Sequence, residues 1–209
     1  LSLVGIRIVL VHGGGPDIDA QLKLMGIAPK FHNGLRITDE ATMGAVQMVL
    51  TGKINVDIVA KLNALGGKAI GLNGKDAKLI EAEKLPAQDG VDLGYVGNIT
   101  KINTKLLNLL AGDEYIPVIA PIGCGAGGES LNINADTVAG AIAAEMKAEK
   151  LIFLTDIDGV RSDKSDPDSL IYHIGVADIE NLVKDGTVAG GMIPKVMSCK
   201  IGRASCRER

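Results

Sequence analysis

Aromatic side chains are nearly missing from this 209-residue chain: they make up 2% of it, against 46% for apolar residues as a whole. The core must therefore be built from Val, Ile, Leu and Ala, the composition of sheets covered by helices on both faces. Cysteine is scarce too. Cys124, Cys199 and Cys206 show neither the paired spacing of a zinc site nor a disulfide framework, and no metal site is expected. Charge of one sign is lacking: 22 basic and 25 acidic residues leave a formal −3 with the signs interspersed. That balance argues against a nucleic-acid or membrane partner. Neither a signal peptide nor a long apolar span occurs, and a cytoplasmic location is expected.

What is present starts at Ile8 to Asp17, read Ile-Val-Leu-Val-His-Gly-Gly-Gly-Pro-Asp, where a β-branched run breaks into three glycines. The pattern predicts a buried strand feeding an anion-binding loop. Gly13, Gly14 and Gly15 lack a Cβ, can take positive φ, and let their N–H groups approach an anion closely. Pro16 opens a helix through Ile18, Leu22 and Met25, whose free amides add about half a unit of positive charge. One glycine would suit a plain strand-to-helix turn; three favour the anion site. His-Gly-Gly-Gly also serves as an esterase oxyanion loop, but the G-x-S-x-G elbow that chemistry needs is missing. No Gly-Lys-Ser/Thr follows the glycines, which excludes a Walker loop. His12 reads as a packing or capping residue.

Farther along, Asn33-Gly34 is a strong turn signal that sets Arg36 at a tip or a cleft edge, and Thr38 and Asp39 offer a helix cap. Met43, Val46, Val49 and Leu50 share a helical face; after a break expected at Gly52, Ile54, Ile58, Leu62 and Leu65 resume it. That stripe suits the sheet or a second subunit. Gly66-Gly67 ends the helix. Strands are expected at Lys68 to Leu72, Leu79 to Ala82, Tyr95 to Ile99 and Tyr115 to Pro121, the last interrupted by Pro117, with a helix from Asn103 to Gly112. Helices alternating with strands predict an α/β fold, an αβα sandwich with a mainly parallel central sheet.

Gly123 to Gly128 matches G-x-G-x-x-G but leads into extended chain, and reads as a hairpin turn. In Asn132-Ile133-Asn134-Ala135-Asp136, alternation puts both asparagines opposite Ile133, aimed at one ligand, and Asn134 also caps a helix from Ala135. A helix start alone explains Asn134 and Asp136, but leaves Asn132 without a role. Leu151 to Thr155 reads as a second buried strand, ending in Asp156-Ile157-Asp158-Gly159, where the ligand crevices of open α/β sheets lie. Ser162 to Ser169 frames a nucleotide base or simply faces water. Gly190 to Lys195 sets a lysine at a helix start, a rigid setting suited to phosphate, although a lone lysine is usually a solvated one.

Taken in order, these stretches resemble the acetylglutamate kinases of the amino acid kinase family. The resemblance rests on the glycine loop, Asn33-Gly34-Leu35-Arg36, Gly66-Gly67-Lys68-Ala69, Tyr115-Ile116-Pro117-Val118, Asn132 to Asp136, Leu154-Thr155-Asp156 and Gly190 to Lys195. It implies the amino acid kinase-like fold, ATP with Mg²⁺ as phosphoryl donor, and N-acetyl-L-glutamate as acceptor. It also implies an acyl phosphate product in arginine biosynthesis and a homodimer or higher homo-oligomer. A γ-carboxylate acceptor is ionised at neutral pH and needs no general base, so catalysis reduces to alignment and charge neutralisation. By resemblance the catalytic residues are Lys195, Asp136 and Gly14. Gly14, Gly15, Arg36, Asn132 and Asn134 bind the acceptor, and Gly13, Thr155, Asp156, Gly159 and Lys195 the nucleotide.

The same resemblance makes residues 1–148 the acceptor lobe, without the family's first strand and its lysine, and 149–200 part of the nucleotide lobe. Ile201 to Arg209, polar, basic and aperiodic, resembles a translated sequencing adapter and is expected to be a non-native, exposed or arbitrarily placed tail. The chain as given is therefore expected to be inactive. Rival readings are another acceptor on the same fold, as in glutamate 5-kinase, aspartokinase, carbamate kinase or uridylate kinase, or a non-catalytic amino-acid sensor. Arg36 with the Asn132/Asn134 pair favours the acetylated acceptor; Lys195, Asp136 and the intact glycine loop speak against a sensor.

Overall fold

The apolar run before the glycines forms strand β1 (Leu10–Val11), and Pro16 lies in the first turn of helix α1 (Gly15–Leu24), which buries Ile18 and Leu22. The strand is shorter than expected and only half-buried. The computed structural model describes residues 5–155, 159–163, 165, 166, 168–190 and 192–206, with residues 200–206 described by backbone alone. Strands β2 (Phe31–His32) and β3 (Leu35–Arg36) make an antiparallel hairpin. Its turn residues Asn33 and Gly34 both have positive φ, 48° and 80°, as a two-residue turn requires.

A single helical rod follows: α2 (Glu40–Gln47), a π-helical segment (Met48–Asn55) and α3 (Val56–Ala64). Asp39 caps it by accepting from the Thr42 N–H at 2.8 Å. The break expected at Gly52 does not occur. Glycine costs a helix about 1 kcal/mol relative to alanine. Burying Val49 and Leu50 beside it is worth about 1.5–3 kcal/mol each, so the rod runs through in wider turns.

Strands β4 (Ala69–Asn73), β5 (Ile80–Lys84) and β6 (Gly97–Ile102), helix α4 (Thr104–Gly112), strands β7 (Ile116–Ala120), β8 (Ile122–Cys124) and β9 (Ser130–Asn132), and helix α5 (Ala135–Glu145) come next. Helices α6 (Ile179–Lys184) and α7 (Met192–Cys206) complete the order. The central sheet is parallel, in the order β1-β7-β4, with every β7 residue buried. A second sheet, β6-β5-β8-β9, is mixed, and its β8–β9 pair is the hairpin expected around Gly123 to Gly128. The rod packs on β4 and β7, and α4 packs on β7.

Pro117 does not interrupt β7. The Ile116 N–H bonds Lys68 O on the β4 side at 2.8 Å, so Pro117 turns its hydrogen-free nitrogen toward β1, where pairing starts only at Val118. Leu151 to Thr155, in contrast, is not the buried strand expected. It pairs with no strand among the described residues, and Ile152 and Leu154 are 67% and 94% exposed. An apolar run becomes a strand only where another edge meets it. Helix α7 continues to Cys206, into a stretch for which no element is expected, because each residue added to an existing helix gains a bond without a new nucleus.

The chain divides into two compact units, Leu1–Val138 and Ala139–Arg209. In the first, Ile18 and Leu22 of α1 pack with Val46, Val49 and Leu50 of the rod and with Ala120 and Ile122. In the second, Ile179, Val188 and Val196 form a small core.

Candidate active site

The glycine loop joins β1 to α1. None of its three glycines adopts the left-handed conformation that a Cβ disfavours, contrary to expectation. What Gly14 supplies is room: its φ is 174° and its ψ 26°, and a Cβ there would overlap Ile54 Cδ1 and lie 2.9 Å from Leu50 Cδ2. The π segment thus packs directly under the loop. No side chain caps the start of α1, and Ile18 N–H makes the first helical bond, to Gly14 O at 2.9 Å. A Cβ on Gly13 would sit 3.8 Å from Ala135 Cβ, which brings the start of α5 beside the loop. Two helix N-termini converge there, and their partial positive charges add toward an anion. Asp136 lies in the first turn of α5, where Asn134 Oδ1 accepts from the Thr137 N–H at 3.1 Å, the cap expected.

His12 is buried and packs, as expected. Its Nδ1 donates to Gly13 O at 3.0 Å, and its Nε2 accepts from Asn55 Nδ2 at 3.1 Å. Desolvation pushes its pKa below the ordinary histidine value, with the Gly13 carbonyl pulling weakly the other way.

Arg36 does not stand at a tip. Its side chain is 8% exposed, stacked 4.6 Å from the Phe31 ring centroid, with Nη1 2.6 Å from Asp19 Oδ1 on α1. That close approach lies outside hydrogen-bond geometry, so the pair is ionic contact without a directed bond. The remaining donors of the fork are not spent on Asp19. Thr38 ties Arg36 to the asparagine motif. Its Oγ1 donates to Arg36 O at 2.7 Å and accepts from Asn132 Nδ2 at 3.1 Å. Its backbone is clasped between the Leu93 carbonyl and the Tyr95 N–H, at 3.0 and 2.7 Å. Gly94 makes that clasp possible, having φ of 69° and no Cβ to overlap Thr38 O. Within the first unit, Gly13 is thus brought beside the start of α5, which carries Asn134 and Asp136, and Arg36 is joined to Asn132 through Thr38.

The second unit carries the expected nucleotide residues. Lys195 is half-buried in the first turn of α7, as expected, with Nζ 5.9 Å from the Phe153 ring centroid. Thr155 is exposed, and Gly159 has φ of 148° with Leu170 Cδ1 3.1 Å from a hypothetical Cβ. Asp156 lies outside the described residues. Ser162 to Ser169 closes on itself, Ser169 Oγ donating to Asp163 O and Asp166 O at 2.7 and 2.8 Å.

Sequence reasoning missed Asp19, Asn55 and Gly94. Asp19 and Gly94 carry no local pattern; Asn55, polar on an apolar helical face, was a signal. Residues 1–201 match the amino acid kinase family. The acetylglutamate kinases of Methanosphaera stadtmanae and Heliobacterium modesticaldum are 50% and 51% identical to the chain, over 95% of it and 70% of each relative. Among solved structures, smu.665 from Streptococcus mutans UA159 has a TM-score of 0.88 at 29% identity, over 98% of this chain and 80% of its own. An N-acetylglutamate synthase from Neisseria gonorrhoeae, complexed with coenzyme A and N-acetyl-glutamate, reaches 0.83 at 26% identity, over 98% of this chain and 46% of its own. With half of the aligned residues shared across nearly its whole length, the chain belongs to the amino acid kinase family, in its acetylglutamate kinase branch.

Proposed function

We propose that the chain phosphorylates the γ-carboxylate of N-acetyl-L-glutamate with ATP, forming the acyl phosphate of arginine biosynthesis. One observation carries this reading: about half of its residues are identical to those of acetylglutamate kinases over 95% of its length. The chemistry suits the site. Two anions must be held in line, and holding them so is worth roughly 7–11 kcal/mol of barrier. The Gly14 and Gly15 amides receive the transferring phosphoryl group, between the starts of α1 and α5. Arg36 uses its unspent donors on the acceptor's α-carboxylate, while Asn132 and the Nδ2 of Asn134 hold the acetylated amino group. Lys195 neutralises charge as it grows on the leaving phosphates, and Asp136 orders the lysine ammonium groups. Gly13, Thr155, Asp156 and Gly159 complete the nucleotide site, and Mg²⁺ arrives bound to ATP.

The test is ADP release by the full-length protein offered N-acetylglutamate, glutamate and aspartate in turn. Only the first is expected to support turnover; equal turnover of glutamate overturns the assignment. We assign the reaction to the cytoplasm; no helix among the described residues is long and apolar enough to cross a membrane. A homodimer is proposed as well. Met48 and Val56 of the rod and Leu65 just past its end stay 55%, 55% and 84% exposed, apolar surface that a second copy would cover. Sedimentation of the full-length protein as a monomer overturns that.

A further inference from the structure

We infer that Asn55 is a positioning residue for phosphoryl transfer: acting through His12, it fixes the Gly13–Gly14 peptide so that the Gly14 N–H faces the transferring group. The inference rests on the phosphoryl-transfer reading above. Asn55 ends the π segment and is 5% exposed. Its Nδ2 has two hydrogens and both are used, one on Val118 O at 2.9 Å and one on His12 Nε2 at 3.1 Å. An imidazole that accepts at Nε2 carries its hydrogen on Nδ1, and Gly13 O lies 3.0 Å from that atom. In a trans peptide the Gly13 carbonyl and the Gly14 N–H point in opposite directions, so holding the first aims the second. Among the described residues the Gly14 N–H has no acceptor of its own.

The surroundings at position 55 suit an amide and not a carboxylate. Aspartate has no N–H to offer Val118 O or the imidazole. A Cβ on Gly71 would overlap Asn55 Oδ1, so β4 is bare where the amide lies against it. The chain is thus fixed from β7 through Asn55 and His12 to the loop, with Leu50 and Ile54 beneath Gly14.

His12 can be dissected because its two nitrogens have separate amide mimics. His12→Asn puts an amide nitrogen where Nδ1 stood and keeps the hold on Gly13 O; His12→Gln puts one where Nε2 stood and loses it. In the full-length protein, Asn55→Leu and His12→Gln are expected to lower kcat about 10²-fold, the cost of roughly 1 Å of misplacement. KM for ATP and for N-acetylglutamate are expected to stay within about twofold of the parent, since ground-state binding does not depend on that one amide. His12→Asn is expected to stay within about tenfold of parental kcat. Unchanged kcat in Asn55→Leu, or equal losses in the two His12 variants, overturns the inference. If Asn55→Leu does not fold, the His12 pair decides. A parent that makes no ADP with N-acetylglutamate sinks the acceptor reading alone. The variants are then compared by binding of MgADP with aluminium fluoride, which mimics the phosphoryl group in flight. Weakening of that complex no greater than of MgADP by itself refutes the role of Asn55.

Discussion

Replacing Gly14 with alanine adds one methyl group where the fold has no space for it. The cost that the structure lets one work out is packing. The new Cβ would overlap Ile54 Cδ1 and stand 2.9 Å from Leu50 Cδ2, and Leu50, at 2% exposure, has nowhere to move. Overpacking of this kind costs about 1–3 kcal/mol. Burying one added methyl returns less than about 1 kcal/mol, so the overlap decides the sign. Ile54→Val deletes the atom that is overlapped, at a cost by itself of about 0.5–1.5 kcal/mol. Combined, the two changes are expected to cost less than their sum, by a coupling of about 0.5–3 kcal/mol. Urea denaturation of the parent, both single variants and the double variant measures this. Gly14→Ala is also expected to lower kcat about 10²-fold by lifting the loop off the π segment, with partial recovery in the double variant. Strictly additive losses, or a Gly14→Ala protein as stable as its parent, would refute the packing argument.

Arg36→Lys is expected to raise the acceptor KM about tenfold or more and leave the ATP KM alone, because an ammonium cannot reproduce the guanidinium fork; initial-rate kinetics with each substrate varied in turn separate the two. Lys195→Ala is expected to lower kcat about 10²–10³-fold with little change in ATP binding, and near-normal kcat would return Lys195 to a solvated role. His12 sets a pH dependence of stability. Its folded pKa lies below the ordinary 6.5, so above that value neither state is protonated and the residue contributes no slope. As pH falls below 6.5 the unfolded chain takes up a proton that the folded one refuses, and stability drops by at most about 1.4 kcal/mol per pH unit. His12→Asn is expected to flatten that slope between pH 7.5 and pH 5.5 in urea titrations, and an unchanged slope would assign the proton elsewhere.

Elements set by local chemistry were legible in the sequence. Pro16 after three glycines, Asn33-Gly34, Asp39 and Asn134 each act within four residues of themselves, and each does what its side chain dictates. The errors came where a distant partner decides. Gly52 looked like a break because the burial on either side of it is not visible in one dimension. Leu151 to Thr155 looked like a strand because apolar, β-branched composition cannot say whether an edge is there to pair with it. At Gly14 the structure gives a reason for glycine that no local pattern shows, since the constraint comes from two side chains 36 and 40 positions later. Site residues divide in the same way: Asn132 stood out for want of a local role, and Asp19, which does pair with Arg36, had nothing local to mark it.

The Asn132–Thr38 bond also sets the timetable of folding. It spans 94 residues of sequence, and closing so long a loop costs about 4 kcal/mol of chain entropy by logarithmic scaling. The glycine loop and α1, by contrast, are neighbours in sequence and can meet early. On a ribosome adding about 5–20 residues per second, roughly 5–20 s separate synthesis of Thr38 from that of Asn132. Throughout that interval the Arg36 hairpin exists without the strand that will hold it. The glycine loop and α1 likewise form before β7, which pairs with β1, and α5, whose first residue ends up beside Gly13, have been translated.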